Sequence, residues 1–358
     1  MFLTTEIKAY LLRFFTSKKK ARNFDIRNVK KVLFFRYDRI GDMVITTPVF
    51  RELKLFIPEI KITVLASKAN QSVVSNNPYI DDVFVNHKNS FFNDLQTLFW
   101  LRKKKFDVCV EFDHSVVPHA ILRLKIVNPK IIISVAKEGR YGVKGSELKL
   151  YDFYTEKKNN LHFRDIWLET LSPFGISPKS NQYDLFCTNS QIQVAKNFIS
   201  KFHGKFLIGI NLEGAVKGKR IQNTELEQIC RGVKQENIDI QIIILTSPKN
   251  HQAVSKLVKD MELNYVAVSF KTRTILDVAG LINHLDLIIS PDTSIVHIAS
   301  AFNKPIVSIH EKNQDSYQLF SPISSLSRTV FSPRENSING FDVRKVIEFS
   351  NELIKEIS

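Results

Sequence analysis

Cysteine is scarce in this chain. Its three residues, Cys109, Cys187 and Cys230, stand far apart without a C-x-x-C pair. That excludes a disulfide framework or a cysteine-built metal site and fits a reducing compartment. Long apolar runs are missing too, since none approaches the roughly 18 residues that a membrane span requires. At the N-terminus, Tyr10-Leu11-Leu12-Arg13-Phe14-Phe15 is broken by Arg13 and followed by Lys18-Lys19-Lys20, the reverse of signal-peptide order, which argues against secretion. Acidic residues are in deficit, 36 against 51 Lys and Arg, leaving a formal charge of +15. Residues 1–180 hold 31 basic and 18 acidic side chains, whereas residues 181–358 hold 20 and 18. A polyanionic partner or surface is expected, and one half of the chain meets it.

What is present is ordinary globular composition, 44% hydrophobic and 24% charged, without short repeats. A chain of 358 residues exceeds one hydrophobic core, so two domains are expected. In the first half, Val32-Phe35, Ile62-Leu65, Val83-Val85, Val108-Phe112 and Ile131-Val135 read as strands. Met43 to Phe56 and Phe91 to Lys104 read as helices. A cluster of Pro, Ser and Asn from Ser172 to Asn181 interrupts the pattern. It then restarts with strands at Phe206-Asn211, Ile240-Leu245, Tyr265-Val268, Leu287-Ser290 and Ile306-Ile309. Helices are expected at Asn223-Gln235, His251-Met261, Thr274-His284, Ser294-Phe302 and, last, Asp342-Ile357. Strand and helix alternation means parallel sheets. The fold class is therefore α/β, with two Rossmann-like, doubly wound domains facing across a cleft, where open sheets bind ligands. The expected division is a basic amphipathic segment (1–30), an N-terminal domain (31–172), a linker (173–184), a C-terminal domain (185–340) and a closing helix (341–358).

The first strand runs through Arg36-Tyr37-Asp38-Arg39-Ile40-Gly41-Asp42-Met43 into the helix carrying Thr46-Thr47-Pro48. Gly41 lets the backbone pass close to a ligand, and Asp42 arrives at the helix N-terminus at the mouth of the sheet. Asp42 is also the residue type of a plain N-cap.

These residues, together with Asn77-Pro78-Tyr79-Ile80-Asp81, Lys219-Arg220 and Asp292-Thr293-Ser294-Ile295-Val296-His297-Ile298-Ala299 followed by Lys304-Pro305, resemble glycosyltransferase family 9, the lipopolysaccharide heptosyltransferases. The likeness covers nearly the whole chain after residue 30. It implies a GT-B fold whose N-terminal domain holds the acceptor and whose C-terminal domain holds a nucleotide-diphosphate sugar, typically ADP-heptose. It also implies inverting chemistry without a metal or other cofactor, with Asp42 as general base. A carboxylate that accepts the proton of a poorly nucleophilic sugar hydroxyl supplies a useful rate gain. Leaving-group charge on the diphosphate is met by Lys219, assisted by Arg220, and by free N–H groups where Asp292, Thr293 and Ser294 open a helix one turn before His297. Gly214 lies in the loop before Lys219. Arg39, Asp113, His114 and Arg140 are the candidate acceptor contacts. Each has a plainer alternative: a solvated surface pair for Lys219 and Arg220, an N-cap for Asp292 or Thr293, a satisfied semi-buried ring for His297.

The sequence departs from the family pattern at Ser294 (usually glycine), Ile221 (usually tryptophan), Glu213 (often proline) and His310-Glu311-Lys312-Asn313 (a glycine-proline turn in many relatives). Gly214-Ala215-Val216-Lys217-Gly218-Lys219 is one residue short of a P-loop, and Arg220 stands where Ser or Thr would bind magnesium. Glu111, Asp113, His114 and His119 match no metal-ligand spacing and are expected to line the acceptor side. The basic half suits an anionic lipopolysaccharide core or surface glycan; no nucleic-acid-binding signature accompanies it. Residues Ile7 to Lys31 suit either an anionic cytoplasmic leaflet or a basic tail. The expected function is a glycosyltransferase that is cytoplasmic, either free or peripheral on the inner face of the membrane. The alternatives are a different donor, a capsular acceptor, or a non-catalytic sugar-nucleotide- or polyanion-binding protein.

Overall fold

Lys31–Arg36, buried at all but its first position, forms the strand β1 on which the first half is built. The computed structural model describes residues 5–16, 25–87, 90–155, 161–214, 218–233 and 239–357. The chain divides into two units, Met1–Gln182 and Tyr183–Ser358, so the boundary falls inside the expected linker.

Unit one runs α1 (Thr5–Phe15), β1, α2 (Ile40–Phe56), β2 (Lys61–Ser67), α3 (Gln71–Val74), β3 (Asp82–Asn86), α4 (Phe91–Lys104), β4 (Val108–Glu111), α5 (Pro118–Val127), β5 (Ile131–Ser134), β6 (Phe153–Tyr154) and α6 (Phe163–Leu168). Its sheet is wholly parallel, in the order β3-β2-β1-β4-β5-β6. The central strands are buried on both faces, which is why they read as unbroken apolar runs rather than alternating ones.

Unit two runs α7 (Asn189–Ile199), β7 (Phe206–Asn211), α8 (Asn223–Gly232), β8 (Ile240–Leu245), α9 (His251–Asp260), β9 (Val266–Val268), α10 (Ile275–Ile282), β10 (Leu287–Pro291), α11 (Ser294–Ala301), β11 (Ile306–His310), α12 (Gln314–Phe320), β12 (Ser327–Phe331) and α13 (Val343–Ile357). Its sheet is again wholly parallel, in the order β12-β11-β10-β7-β8-β9. Counted within each unit, both orders are 3-2-1-4-5-6 with the reversal beside the first strand. The closing helix α13 buries Val346, Leu353 and Ile354 in unit two's core.

Three features differ from the expectation. Each sheet has a sixth strand: β6 spans two residues, too short to show a period, and β12 is an edge strand with Arg328 near its middle. The N-terminal segment is not an appendage as far as Thr16, because Ala9 and Leu12 of α1 are buried in one apolar cluster with Leu98 and Leu101 of α4 and Ile121 and Leu124 of α5. The lysine run 18–20 lies outside the described residues. Part of the expected linker is docked, since Arg51 of α2 donates to the carbonyls of Ser180 and Gln182 at 2.8 Å each, and Glu52 accepts the Lys179 N–H at 2.7 Å. Among the described residues no helix is long and apolar enough to cross a membrane.

Candidate active site

At the C-terminal end of β1, the turn into α2 is held from both sides. The buried Asn70 amide donates to the carbonyls of Arg36 (3.0 Å) and Arg39 (3.4 Å). Arg39, not Asp42, is the N-cap of α2. Asp42 is the third helical residue, and its carboxylate accepts the Arg39 backbone N–H at 3.3 Å, satisfying one of the helix's orphan donors.

Beneath this turn lies Arg36, its side chain 3% exposed. Its guanidinium donates to Asp38 at 2.9 Å and to the Asp42 carbonyl at 3.3 Å, and Nη2 stands 3.7 Å from Asp42 Oδ1. It lies over the Trp167 ring at 3.8 Å, a cation–π contact that fixes the plane of the fork. Trp167 in turn donates its indole N–H to His114 Nε2 at 2.9 Å. Burial, then the Arg36 and Lys137 charges, push His114 down to about 3, so its ring is a neutral acceptor. His114 therefore reaches Asp42 through Trp167 and Arg36, with its Nε2 occupied.

β4 leads to a second polar group. Glu111, fully buried, accepts from Lys137 at 2.6 Å, from Ser134 Oγ at 2.9 Å and from the Asp113 N–H at 2.7 Å. Burial opposes its ionisation, and Lys137 with that N–H outweighs burial, holding the carboxyl below its usual range. Burial and the adjacent Glu111 charge push Asp113 far above the carboxylate range. Asp113 is then a neutral acid able to donate. Arg140 lies on an exposed loop, its guanidinium 4.8 Å from the Tyr141 ring.

In unit two, Thr293 caps α11, its hydroxyl accepting the Ile295 N–H at 3.2 Å. Asn211, at the end of β7, donates to Thr293 Oγ1 and Ser290 Oγ at 3.0 Å each, pinning the cap to the sheet. Gly214 is required here: a Cβ at this position would lie 2.7 Å from the Thr293 methyl. Its N–H donates to the Lys219 carbonyl at 2.9 Å, and residues 215–217 of the loop lie outside the described residues.

Lys219 donates to Asp292, and Glu311 Oε2 lies 4.0 Å from the same ammonium. Burial opposes the Asp292 charge, and His310, Lys219 and His297 outweigh it. His297 and His310 are buried, and burial pushes each down to about 4 despite the Asp292 charge. Arg220 does not join Lys219. It turns to Glu213 at 3.2 Å, and Glu213 also accepts from Thr246, Ser247 and Asn250. The Glu that replaces a common proline thus anchors the loop.

Reading residue types missed Arg36, Asn70, Trp167 and Asn211. Arg36 stands at the head of the motif, but nothing in its spacing announces an aromatic platform more than a hundred residues away. Among the described residues no group of three or more His, Cys, Asp or Glu side chains could hold a metal ion.

Residues 100–345, well over half of the chain, match the model of glycosyltransferase family 9 (heptosyltransferase). The chain belongs to this family. It is similar to the lipopolysaccharide core heptosyltransferase OpsX of Haemophilus influenzae, 19% identical over 319 residues that cover 87% of each chain. Two solved structures share its fold. The family 9 glycosyl transferase of Veillonella parvula superposes with a TM-score of 0.75 at 18% identity, covering 94% of this chain and 100% of that one. The ADP-heptose lipopolysaccharide heptosyltransferase II of E. coli gives 0.70 at 16% identity, covering 91% and 99%. The family 9 glycosyltransferase described here thus has the GT-B architecture expected from its motifs.

Proposed function

We propose that this glycosyltransferase moves a heptose, or a related sugar, from a nucleotide-diphosphate sugar to a lipopolysaccharide core acceptor at the cytoplasmic face of the membrane. ADP-heptose is the proposed donor, the sugar nucleotide after which one solved relative is named. The observation that carries the reading is Asp42, a partly exposed carboxylate at the reversal point of unit one's sheet, with a buried guanidinium behind it.

Asp42 takes the proton of the acceptor hydroxyl as that oxygen bonds to the anomeric carbon. The bond from this carbon to the diphosphate breaks, the electron pair leaves with the nucleoside diphosphate, and the configuration inverts. Charge that develops on the leaving group meets Lys219 and the first N–H groups of α11, a helix N-terminus that attracts phosphate. Because Lys219 is paired with Asp292, the diphosphate takes over a cation already in place. Asp113, its proton hydrogen-bonded to Glu111, lines the acceptor side with His114; Arg39 and Arg140 contact the acceptor's exterior. A cation and helix dipole on the leaving group support metal-independent transfer.

A panel of nucleotide sugars tested by thermal shift identifies the donor, because a ligand at 100 times its dissociation constant adds about 2.7 kcal/mol. Transfer is then assayed in EDTA. Stabilisation by ADP-heptose with transfer undiminished in EDTA is expected; loss restored by magnesium contradicts the metal-independent part. Binding without transfer or slow donor hydrolysis would favour the non-catalytic alternative.

A further inference from the structure

We propose that the outer face of α4, with the exposed apolar side chains of α1 and α5 in the same helical layer, docks unit one on an anionic lipid bilayer. This locates the membrane contact that the proposed function assumes and does not depend on which sugar is transferred.

The inner side of α4 is conventional. Leu98 and Leu101 enter the core, and Asp94 turns to Arg123 at 2.9 Å. On the outer side, Phe92, Gln96, Phe99, Trp100 and Lys103 follow one another at the spacing of a single helical stripe. A surface helix normally fills such a stripe with polar residues. Here Phe92 is 81% exposed, Trp100 59% and Phe99 49%, with Phe91 beside Phe92 at the helix start.

The neighbouring helices repeat the pattern. α1 exposes Ile7, Tyr10 and Phe14 while burying Ala9 and Leu12, and α5 exposes Leu122. Of the thirteen large apolar side chains exposed among the described residues, eight lie on these three helices.

Exposed aromatics alone would fit a protein partner equally well. The charges around them select the lipid. The stripe carries no acidic side chain and ends in Arg102-Lys103-Lys104-Lys105, with Arg102, Lys103 and Lys105 exposed. Aromatic rings settle at headgroup level and lysines pair with anionic headgroups, the combination by which peripheral helices bind a charged leaflet. The unit bearing this face also holds nearly the whole excess of basic residues.

The two tryptophans make the test direct, because Trp100 is exposed and Trp167 is 1% exposed beneath Arg36. The full chain is mixed with vesicles of phosphatidylglycerol and phosphatidylcholine, and separately with phosphatidylcholine alone. On the anionic vesicles Trp100 emission should shift to the blue and be quenched by brominated acyl chains, and high salt should reverse both. The variant Phe92→Gln/Phe99→Gln/Trp100→Gln should co-sediment with these vesicles on the order of tenfold less while melting as wild type and transferring normally to a soluble acceptor fragment. Phe92→Gln alone serves if the triple variant does not fold. Leu55→Gln/Phe56→Gln, which removes exposed apolar side chains of α2, should bind as wild type. Equal binding to neutral vesicles, no binding at all, unchanged binding of the α4 variants, or a self-association that they abolish would overturn the proposal. Transfer to the soluble fragment is scored separately, so failure of the docking face and failure of the catalytic reading are distinguishable.

Discussion

The two units share one strand order and place an aspartate just past a strand beside the reversal point, yet they treat it oppositely. Asp42 in unit one stands near an arginine whose donors are largely committed to Asp38, a carbonyl and an aromatic face. Asp292 in unit two is closed onto Lys219. The first carboxylate is partly exposed and 3.7 Å from its arginine, and the second is paired directly with a lysine. The surfaces differ as well: among the described residues, eleven of the thirteen exposed large apolar side chains belong to unit one, against Val194 and Phe331 in unit two. On one scaffold, the proposed proton acceptor and docking face belong to unit one and the proposed diphosphate contacts to unit two, carried by the loops after the strands and by outer helix faces.

The contrast breaks most visibly at Asp42. Asp42→Asn keeps an acceptor for the Arg39 N–H, so melting should stay close to wild type while transfer falls by about 10² or more. A rate near wild type would remove Asp42 from the chemistry. Lys219→Ala should weaken nucleoside-diphosphate binding and turnover together, each by roughly tenfold or more, because its charge serves ground state and leaving group alike. Adding Asp292→Asn should recover part of the lost affinity by removing the carboxylate left unpaired; no recovery would separate the two residues.

Acid separates the two units through stability. His297 and His310 titrate near 4 in the folded protein and near 6.5 when unfolded. Below pH 6.5 the unfolded chain therefore binds more protons, and stability is lost as pH falls towards 4, at about 1.4 kcal/mol per pH unit for each histidine. Asp113 has the opposite sign: its raised value favours the fold at low pH, and that contribution declines as pH rises above the ordinary carboxylate range. His310→Gln should flatten the drop in melting temperature between pH 7 and 5, whereas Asp113→Asn should flatten the alkaline side. The smallest effect is expected from Arg36→Lys, which keeps the charge but loses the fork and the stacking on Trp167. Transfer should fall on the order of tenfold or less with donor affinity unchanged; a fall in donor affinity would contradict a role confined to unit one.

Much of the fold was legible because parallel strands buried on both faces leave unbroken apolar runs, as at Ile240–Leu245, and caps such as Thr188 with Gln191 leave local signatures. The edge strands β6 and β12 escaped for lack of such runs. At the site, residue type and order pointed to Asp42, Lys219 and the start of α11. Partners distant in sequence were beyond reach: Trp167 under Arg36, Asn70 under the β1 turn, and the choice of Arg220 for Glu213 rather than for the lysine's neighbourhood. Those depend on packing. Nor does sequence alone show that a basic, aromatic N-terminal segment buries Ala9 and Leu12, since the same amphipathic pattern serves a membrane or a core.

The division of labour is tested most directly by titrating ADP-heptose calorimetrically into the wild type, Asp42→Asn and Lys219→Ala. Equal affinity is expected for the first two and a loss of roughly tenfold or more for the third. Loss of donor affinity in Asp42→Asn, or wild-type affinity in Lys219→Ala, would contradict it.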